Sequence, residues 1–406
     1  MLKTILTKQV RLGMYIHALK GAWIHHPFWQ TEFVLNNPKD LAKLYSSAVK
    51  EVEIDTSKGL DVEQKQQADI ALFDESAGLS DAPVVKRKPV KMVRVSQEIK
   101  VAKNVIIASK EAVATMFNDV RLGKAVNAEA VMPLVDDIAA SIDRNKAALI
   151  SLARLKTQDD YTYMHSVAVC AMMTALAKEL ALSDIEVKQA GLAGLLHDIG
   201  KVAVPLHVLN KPGALTNQEF SLVKLHPEKG HALLMQAGIK DPVALDVCLH
   251  HHEKVDGTGY PKKLLGDNIS LFAKMGAICD VYDAVTSNRS YKAGWEPSVS
   301  LKRMAQWQGH FDEAIFKAFV KSVGIYPIGS VVLLKSKRLA VVVDQSSKSL
   351  LQPIVKVFFS TKSKTRIPIE EIDLSKSSVK DEIAGPETTE TWGIDNVDEL
   401  WADPGV

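Results

Sequence analysis

Apolar residues recur every three to four positions through the middle of the chain. Over residues 96–156 this period predicts two long helices that are broken near Gly123. Shorter apolar periods follow over residues 157–325, and two of them begin with a capping box, Ser183-x-x-Glu186 and Thr216-x-x-Glu219. The middle of the chain is therefore predicted to be a bundle of helices.

The start of the chain has a different pattern, in which apolar and polar residues alternate. Alternation over residues 10–16 predicts a half-buried strand, and residues 52–55 predict a second one. A short helix is predicted between them, over residues 40–49. We expect a small α/β domain over residues 1–75, followed by a linker over 76–95, where glycine and proline interrupt the periodicity.

A period of two returns after Gly324, where residues 331–333, 339–343 and 354–359 are predicted strands. We expect a small β domain over residues 326–375 and an acidic, disordered tail over 376–406. The fold class is thus mainly α: a helical connector over 96–156 and a helical domain over 157–325, with small domains at both ends.

Composition narrows the class of protein. The 406 residues suffice for two or three domains, and no apolar run approaches the roughly 18 residues that span a bilayer. The start of the chain has no signal-peptide core, and Cys170, Cys248 and Cys279 lack paired spacing. We expect a cytoplasmic protein with reduced cysteines, without a nucleic-acid-binding module.

Charge is balanced overall but placed unevenly. The net charge is +2, and residues 375–406 carry two lysines against eight acidic residues, so the rest of the chain carries about +8. Basic runs such as Lys86-Arg87-Lys88 account for part of that excess. Solvated surface explains them best, and weak attraction of an anionic ligand is the alternative.

Candidate metal ligands follow one another through the helical segment. Five histidines and two aspartates fall at predicted helix ends or on inner faces: His165, His197, Asp198, His226, His251, His252 and Asp280. Each alone could be an ordinary core residue. Together they could converge in a bundle, where Asp198 can bridge two ions because a carboxylate has two oxygens and an imidazole offers one lone pair.

Mixed imidazole and carboxylate ligands suit Zn, Mn, Fe or Ni better than Mg or Ca. Two such ions about 3.5–4 Å apart can activate water toward phosphorus and neutralise developing charge. Lys201, Arg289 and Lys292 are candidate cationic contacts for a phosphate, and the last two lie one helical turn apart. Without the ligand series, a surface pair would be the better interpretation of Arg289 and Lys292.

Several motifs occur in order over roughly residues 155–325 and resemble those of the HD-GYP phosphodiesterases. They are His197-Asp198-Ile199-Gly200-Lys201, Lys211-Pro212-Gly213, His226-Pro227-x-x-Gly230, His251-His252-Glu253-x-x-Asp256-Gly257-x-Gly259-Tyr260-Pro261 and Asp280-x-x-Asp283-Ala284. Residues 1–75 are similar to the small domain that often precedes HD-GYP domains. The resemblance implies hydrolysis of the bacterial messenger cyclic di-GMP to linear pGpG, and in some members onward to GMP.

The resemblance also implies roles for individual residues. One metal would be held by His165, His197, Asp198 and Asp280, and the second by Asp198, His226, His251 and His252. Lys201, Arg289 and Lys292 would contact substrate phosphate, with Asp198 and Lys201 as the catalytic residues. The loop with Gly259, Tyr260 and Pro261 would shape the substrate pocket and meet diguanylate cyclase (GGDEF) domains. Residues 96–156 could support a homodimer.

One position departs from members that hold a third metal. Those members have Glu four residues before the first histidine, and this chain has Tyr161 there. A phenol with a pKa of about 10 is a poor ligand at neutral pH. The sequence therefore predicts two metal ions and pGpG as the main product.

Three alternatives remain open from the sequence. The metal motif does not identify bases, so 3'3'-cyclic GMP-AMP is a second candidate substrate. A catalytically silent dinucleotide receptor or scaffold is another, which the complete ligand set disfavours. A generic nucleotide phosphohydrolase is the third, which the long motif after His252 disfavours.

Overall fold

The structure is a computed structural model of the chain. The chain divides into two compact units, residues 1–86 and 87–406, and each is described by itself. The described residues are 2–19, 33–36, 38–47, 49–61, 92–156, 161–287, 294–346 and 348–402.

The first unit is a small antiparallel sheet with one helix. Its strands are β1 (Leu2–Leu6), β2 (Tyr15–Leu19), β3 (Phe33–Val34) and β4 (Glu51–Asp55), in the order β1-β4-β2-β3, and helix α1 spans Pro38–Ser46. Ile16, Leu44, Val52 and Ile54 are buried in the core between them. The predicted helix and the strand at 52–55 are confirmed.

The strand predicted over residues 10–16 is wrong for most of its length. Strand β2 begins only at Tyr15, after a 3-10 turn over Thr7–Gln9. Gly13 adopts a φ of 87°, which reverses the chain and which few residues other than glycine tolerate. Val10 and Met14 are buried, but they lie in the irregular segment before β2 and not on a strand. Burial of Val10, Met14 and Ile16 was correctly indicated, but Leu12 is exposed.

The second unit begins with the two long helices that the period predicted. Helix α2 spans Val95–Arg121 and α3 spans Ala128–Arg154. They pack side by side, and the buried carboxylate of Glu98 on α2 accepts hydrogen bonds from Ser141 Oγ (2.9 Å) and Arg144 Nε (2.8 Å) on α3. A buried charge with both hydrogen bonds and a cationic partner fixes the register of this pair.

The helical bundle follows. Its helices are α4 (Tyr161–Glu179), α5 (Asp184–Leu196), α6 (Leu206–Leu209), α7 (Asn217–Val223), α8 (His226–Gln236), α9 (Pro242–His250), α10 (Leu271–Thr286), α11 (Pro297–Ala305) and α12 (Glu313–Val323). Both predicted capping boxes begin helices, α5 at Ser183 and α7 at Thr216.

Helix α4 is the centre of this bundle. All residues from Met164 to Ala177 are buried, because α2, α3, α5, α10 and α12 surround this helix. A helix that is apolar all round belongs in the interior of a bundle or in a membrane. Within the described ranges, no helix is both long enough and apolar enough to span a bilayer.

A five-stranded antiparallel sheet follows the bundle. Its strands are β5 (Val331–Leu334), β6 (Arg338–Asp344), β7 (Ile354–Ser360), β8 (Thr365–Asp373) and β9 (Ile383–Pro386), in the order β8-β7-β6-β5-β9. The expected fold class, mainly α with a small α/β domain before the helices and a small β domain after them, is confirmed. Strands β8 and β9 were not predicted.

The acidic segment over residues 376–402 is folded in the structure, which differs from the predicted disorder. Strand β9 pairs with the edge of β5, so part of this segment completes the sheet. Ile394 and Trp401 are buried, and Lys356 Nζ donates to Leu400 O at 2.7 Å. Composition predicted disorder because the segment is acidic, but apolar anchors and strand pairing are tertiary contacts that composition does not contain. Residues 403–406 lie outside the described residues.

Trp401→Ala should release this segment from the sheet. Removal of a well-buried aromatic side chain costs about 3 kcal/mol or more, and Trp401 Nε1 also donates to Asp398 Oδ1 at 2.9 Å. Hydrogen exchange should show faster exchange of the β9 amides, with α4 unchanged. Glu399→Ala, at an exposed neighbour, is the control. Equal protection of β9 in both variants would mean that Trp401 does not anchor it.

Candidate metal centre

The predicted ligands lie on five elements of the bundle and meet at one place. His165 is on α4, His197 and Asp198 follow α5, His226 begins α8, His251 and His252 follow α9, and Asp280 is on α10. All are buried except His252, which is partly exposed. Residues that are up to 115 positions apart in sequence therefore share one interior site.

The carboxylate of Asp198 is at the centre of the site. Its Oδ2 lies 3.3 Å from both His165 Nε2 and His197 Nε2. Its Oδ1 lies 3.1 Å from His226 Nε2 and 3.8 Å from His251 Nε2. The two oxygens of one side chain thus face two different groups of imidazoles.

The ligand atoms form two clusters, each compact enough for one ion. One contains His165, His197, Asp198 and Asp280, and the other contains His226, His251 and His252. Asp280 Oδ1 lies 3.0 Å from His165 Nε2, which closes the first cluster. The same two groups were assigned from sequence, with Asp198 added to the second.

Backbone carbonyls fix the direction of three imidazoles. Nδ1 of His197 lies 2.8 Å from Gly194 O, Nδ1 of His226 lies 2.7 Å from Val223 O, and Nδ1 of His251 lies 2.9 Å from Val247 O. A carbonyl only accepts, so each Nδ1 must donate. Each neutral ring then presents the lone pair of Nε2 to the site.

This arrangement fits cations. Nε2 of His226 and Nε2 of His251 are 3.2 Å apart, yet both are acceptors when both Nδ1 atoms donate. His197 Nε2 and Asp198 Oδ1 are buried and have no hydrogen-bond partner among the described residues. Buried acceptors that face one another are costly unless a cation lies between them. The donor set, five imidazoles and two carboxylates, suits divalent transition metals.

The pKa values follow from burial and from this crowding. Burial, and then the neighbouring His252 and His197, lower the pKa of His251 well below its usual value. Burial lowers the pKa of His252 to about 3. Both rings are therefore neutral at physiological pH, which is the form that binds metal.

In contrast to His251 and His252, the side chains of Asp198 and His165 are held in their charged forms. Burial opposes ionisation of Asp198, but Lys201 and His197 hold its pKa well below the usual range. Burial also disfavours the charged form of His165, yet contacts with Asp198, Asp280 and Asp283 raise the pKa of His165 to about 10. A cation bound at His165 Nε2 would replace that proton, so binding releases it.

A close contact between two glycines positions the second cluster relative to Asp198. A Cβ atom on Gly200 would lie 1.9 Å from His226 O, and one on Gly230 would lie 3.0 Å from Gly200 N. The 3-10 turn Ile199–Ala203 can therefore pack directly on the backbone of α8. This contact explains why both motifs, His197 to Lys201 and His226 to Gly230, contain a glycine.

The Gly259-Tyr260-Pro261 loop folds back over the site. The Tyr260 ring stacks on His252 with ring centroids 4.7 Å apart, and Tyr260 N donates to His252 O at 3.2 Å. A Cβ atom on Gly259 would lie 2.4 Å from Lys254 N, so only glycine fits there. Burial raises the pKa of Tyr260, which keeps its hydroxyl protonated.

The cationic candidates are placed differently from one another. Lys201 Nζ contacts Asp198 Oδ2 directly, so it lies against the shared carboxylate rather than apart from the ligands. Arg289 and Lys292 lie outside the described residues. Helix α10 continues beyond Asp280 to Thr286. Buried residues of this helix lie on both sides of Asp280 in the sequence, so Asp280 is in the middle of the helix and not at its end.

Three contributing residues were given no role from the sequence, although two of them, Glu253 and Asp283, belong to the quoted motifs. Asp283 Oδ2 lies 2.6 Å from His165 Nδ1, and Lys156 Nζ lies 2.7 Å from Asp283 Oδ1. Glu253, which is buried, accepts from the backbone N–H groups of Lys262 (2.6 Å) and Leu264 (3.0 Å) and so holds the loop. The spacing of Asp280 and Asp283 on one helix was an available signal; no local signal marked Lys156.

Comparison with known proteins agrees with this geometry. A profile for the HD domain matches residues 133–315, and a profile for a domain of unknown function (DUF3391) matches residues 2–131. A cyclic di-GMP phosphodiesterase of Pseudomonas aeruginosa is 51% identical over 99% of this chain and 96% of its own length.

Other matches are shorter and cover less than half of this chain. A cyclic di-GMP phosphodiesterase response regulator of Xanthomonas campestris pv. campestris is 36% identical over 44% of this chain and 48% of its own length. A 3'3'-cGAMP-specific phosphodiesterase of Vibrio cholerae is 34% identical over 44% of this chain and 35% of its own length.

The fold and the site define a hydrolase of the HD superfamily, whose members depend on metal ions. Within that superfamily the chain belongs to the HD-GYP phosphodiesterase family, with the DUF3391 domain at its N-terminal side.

Asp198→Ala should remove both ions at once, because it deletes the carboxylate that faces both clusters. Metal analysis of purified protein should fall from about two ions per chain to fewer than one. Asp143→Ala is the control, since Asp143 is also paired with a lysine, Lys178, but is on α3 and is not a member of either cluster. Loss of only one ion in Asp198→Ala would show that Asp198 is not shared.

Proposed function

We propose that the protein hydrolyses cyclic di-GMP with two divalent transition-metal ions and releases mainly linear pGpG. The observation that carries the proposal is the pair of clusters joined by Asp198, in a chain that is 51% identical over nearly its whole length to a cyclic di-GMP phosphodiesterase. A phosphodiester is the substrate class that a pair of adjacent ions suits.

When bound, two such ions activate water and neutralise charge on the phosphoryl oxygens. The residues of the chain supply the rest. His165, His197, Asp198 and Asp280 would hold one ion, and Asp198, His226, His251 and His252 the other. Lys201, partly exposed beside Asp198, can turn its ammonium toward a phosphate oxygen. Arg289 and Lys292 are proposed to add further phosphate contacts, and the Gly259-Tyr260-Pro261 loop would bound the substrate pocket beside His252.

Cyclic GMP-AMP is the second candidate substrate, because a relative in Vibrio cholerae named as specific for it is 34% identical over 44% of this chain. The match to the Pseudomonas aeruginosa protein extends over both units of the chain, which favours cyclic di-GMP. Purified protein loaded with Mn²⁺ or Fe²⁺ under anaerobic conditions should be offered both dinucleotides in competition. Faster cleavage of cyclic GMP-AMP would make it the preferred substrate instead of cyclic di-GMP. Cleavage of neither dinucleotide would contradict both substrate proposals. Protein that holds fewer than two ions per chain would favour a silent receptor.

We propose that Tyr161 makes pGpG the main product, because it stands where a third metal ion would need a carboxylate. Its ring stacks on His165 with centroids 5.9 Å apart and an interplanar angle of 6°. The position therefore faces the first cluster, but it offers a phenol rather than a carboxylate. A GGDEF-domain partner at the loop and a dimer through α2 and α3 are further proposals that follow from the resemblance.

Lys201→Ala should leave both ions in place and lower kcat by about 100-fold or more, because one cationic group no longer faces developing phosphoryl charge. Metal analysis and steady-state kinetics on cyclic di-GMP measure the two quantities separately. Lys188→Ala, which removes a surface lysine paired with Asp136, is the control. Loss of metal in proportion to activity would assign Lys201 to ion binding instead.

Tyr161→Glu should add a third ion and speed the conversion of pGpG to GMP. The carboxylate would replace a phenol that already stacks on His165, and carboxylates bind these ions at neutral pH. Metal analysis and chromatography of the products provide the measurement, with Thr162→Glu as the neighbouring control. An unchanged metal content in Tyr161→Glu would mean that this position does not determine ion number.

A further inference from the structure

His165 is clamped between two carboxylates from one helix. Asp280 and Asp283 are three residues apart on α10, so they lie on the same face. Asp280 Oδ1 lies 3.0 Å from Nε2 of His165, and Asp283 Oδ2 lies 2.6 Å from its Nδ1. Both ring nitrogens therefore have an acidic partner, and the ring plane is fixed.

His165 differs in this respect from the other buried imidazoles of the site. His197, His226 and His251 donate from Nδ1 to neutral backbone carbonyls. Asp283 supplies a full negative charge to the ring of His165 instead. A carboxylate behind an imidazole makes the opposite nitrogen a stronger metal ligand and holds the ring in the binding orientation.

Asp283 is itself buried, and its negative charge is neutralised by Lys156, a residue outside the ligand motifs. Lys156 Nζ lies 2.7 Å from Asp283 Oδ1, and the Lys156 side chain is 0% exposed. Its ammonium also lies 5.5 Å from the centre of the Tyr161 ring, which stacks on His165. A buried carboxylate needs such a partner, because an unpaired buried charge is strongly destabilising.

Lys156 comes from the end of the connector rather than from the helices that carry the ligands. It lies two residues after α3, whose other contacts include the buried Glu98 network with α2. The position of the α3 end therefore determines whether an ammonium reaches Asp283. The contact of Asp283 with His165 is therefore linked, through Lys156, to the end of α3.

We propose that Lys156 and Asp283 form a buried pair of positioning residues that orients His165 and strengthens the ion site to which it belongs. The inference rests on the proposed two-metal function, because it assigns His165 to one of the two ions. It predicts that one ion, and not the other, depends on Lys156. The end of α3 thereby becomes part of the metal site.

The test is calorimetric titration of metal-free full-length protein with Mn²⁺ alone. Two variants are compared: Lys156→Met, and the double change Lys156→Met with Asp283→Asn. The double change removes both charges of the pair, so it leaves no uncompensated buried charge and should keep the fold. Wild type should bind two ions. Both variants should bind one ion about 10- to 100-fold more weakly and the other unchanged. Lys178→Met is the matched control, because Lys178 also pairs with an aspartate, Asp143, but contacts no ligand of the site.

A background variant identifies the affected ion. In His197→Ala, the ion that remains should be the one at His226, His251 and His252, and adding the double change should not alter its affinity. Two unchanged affinities in the double variant, with only a lower thermal midpoint, would overturn the inference and leave the proposed function intact. Wild-type protein that fails to bind two ions would overturn both.

Discussion

One buried carboxylate organises the site. Asp198 is fully buried, and its two oxygens face imidazoles from α4, α5, α8 and the end of α9. Three of those rings are turned inward by hydrogen bonds to backbone carbonyls, so their lone pairs converge on the same space. Such a concentration of acceptors is stable only with compensating positive charge, and this need links the fold to metal chemistry.

The bundle is shaped to make that convergence possible. Helix α4 is buried on every side, and it places His165 in the interior. The contact of Gly200 with α8 brings Asp198 and His226 together at a distance that no residue with a Cβ atom would permit. The loop that contains Tyr260 then covers His252, held by the buried carboxylate of Glu253. The roles of Gly200 and Glu253 in these contacts appear only when their partners are known.

The site extends beyond the candidate metal ligands. Asp283 and Lys156 form a second layer behind His165, and the outer member comes from the connector. Buried ion pairs of this kind contribute little net stability, but they fix orientation. The inferred metal site therefore includes a residue that follows α3, a helix that carries no ligand.

The sequence by itself determined the class of fold, the two long helices, both capping boxes and the order of the ligand motifs, because these depend on local periodicity and on residue type. Through resemblance, it also indicated which residues belong to each of the two clusters. The tertiary structure alone decided that α10 continues past Asp280, that the acidic segment ending near Trp401 completes a sheet, and that Lys156 reaches Asp283. Each of these depends on contacts between residues far apart in the chain, and a local pattern does not record what a side chain meets after folding.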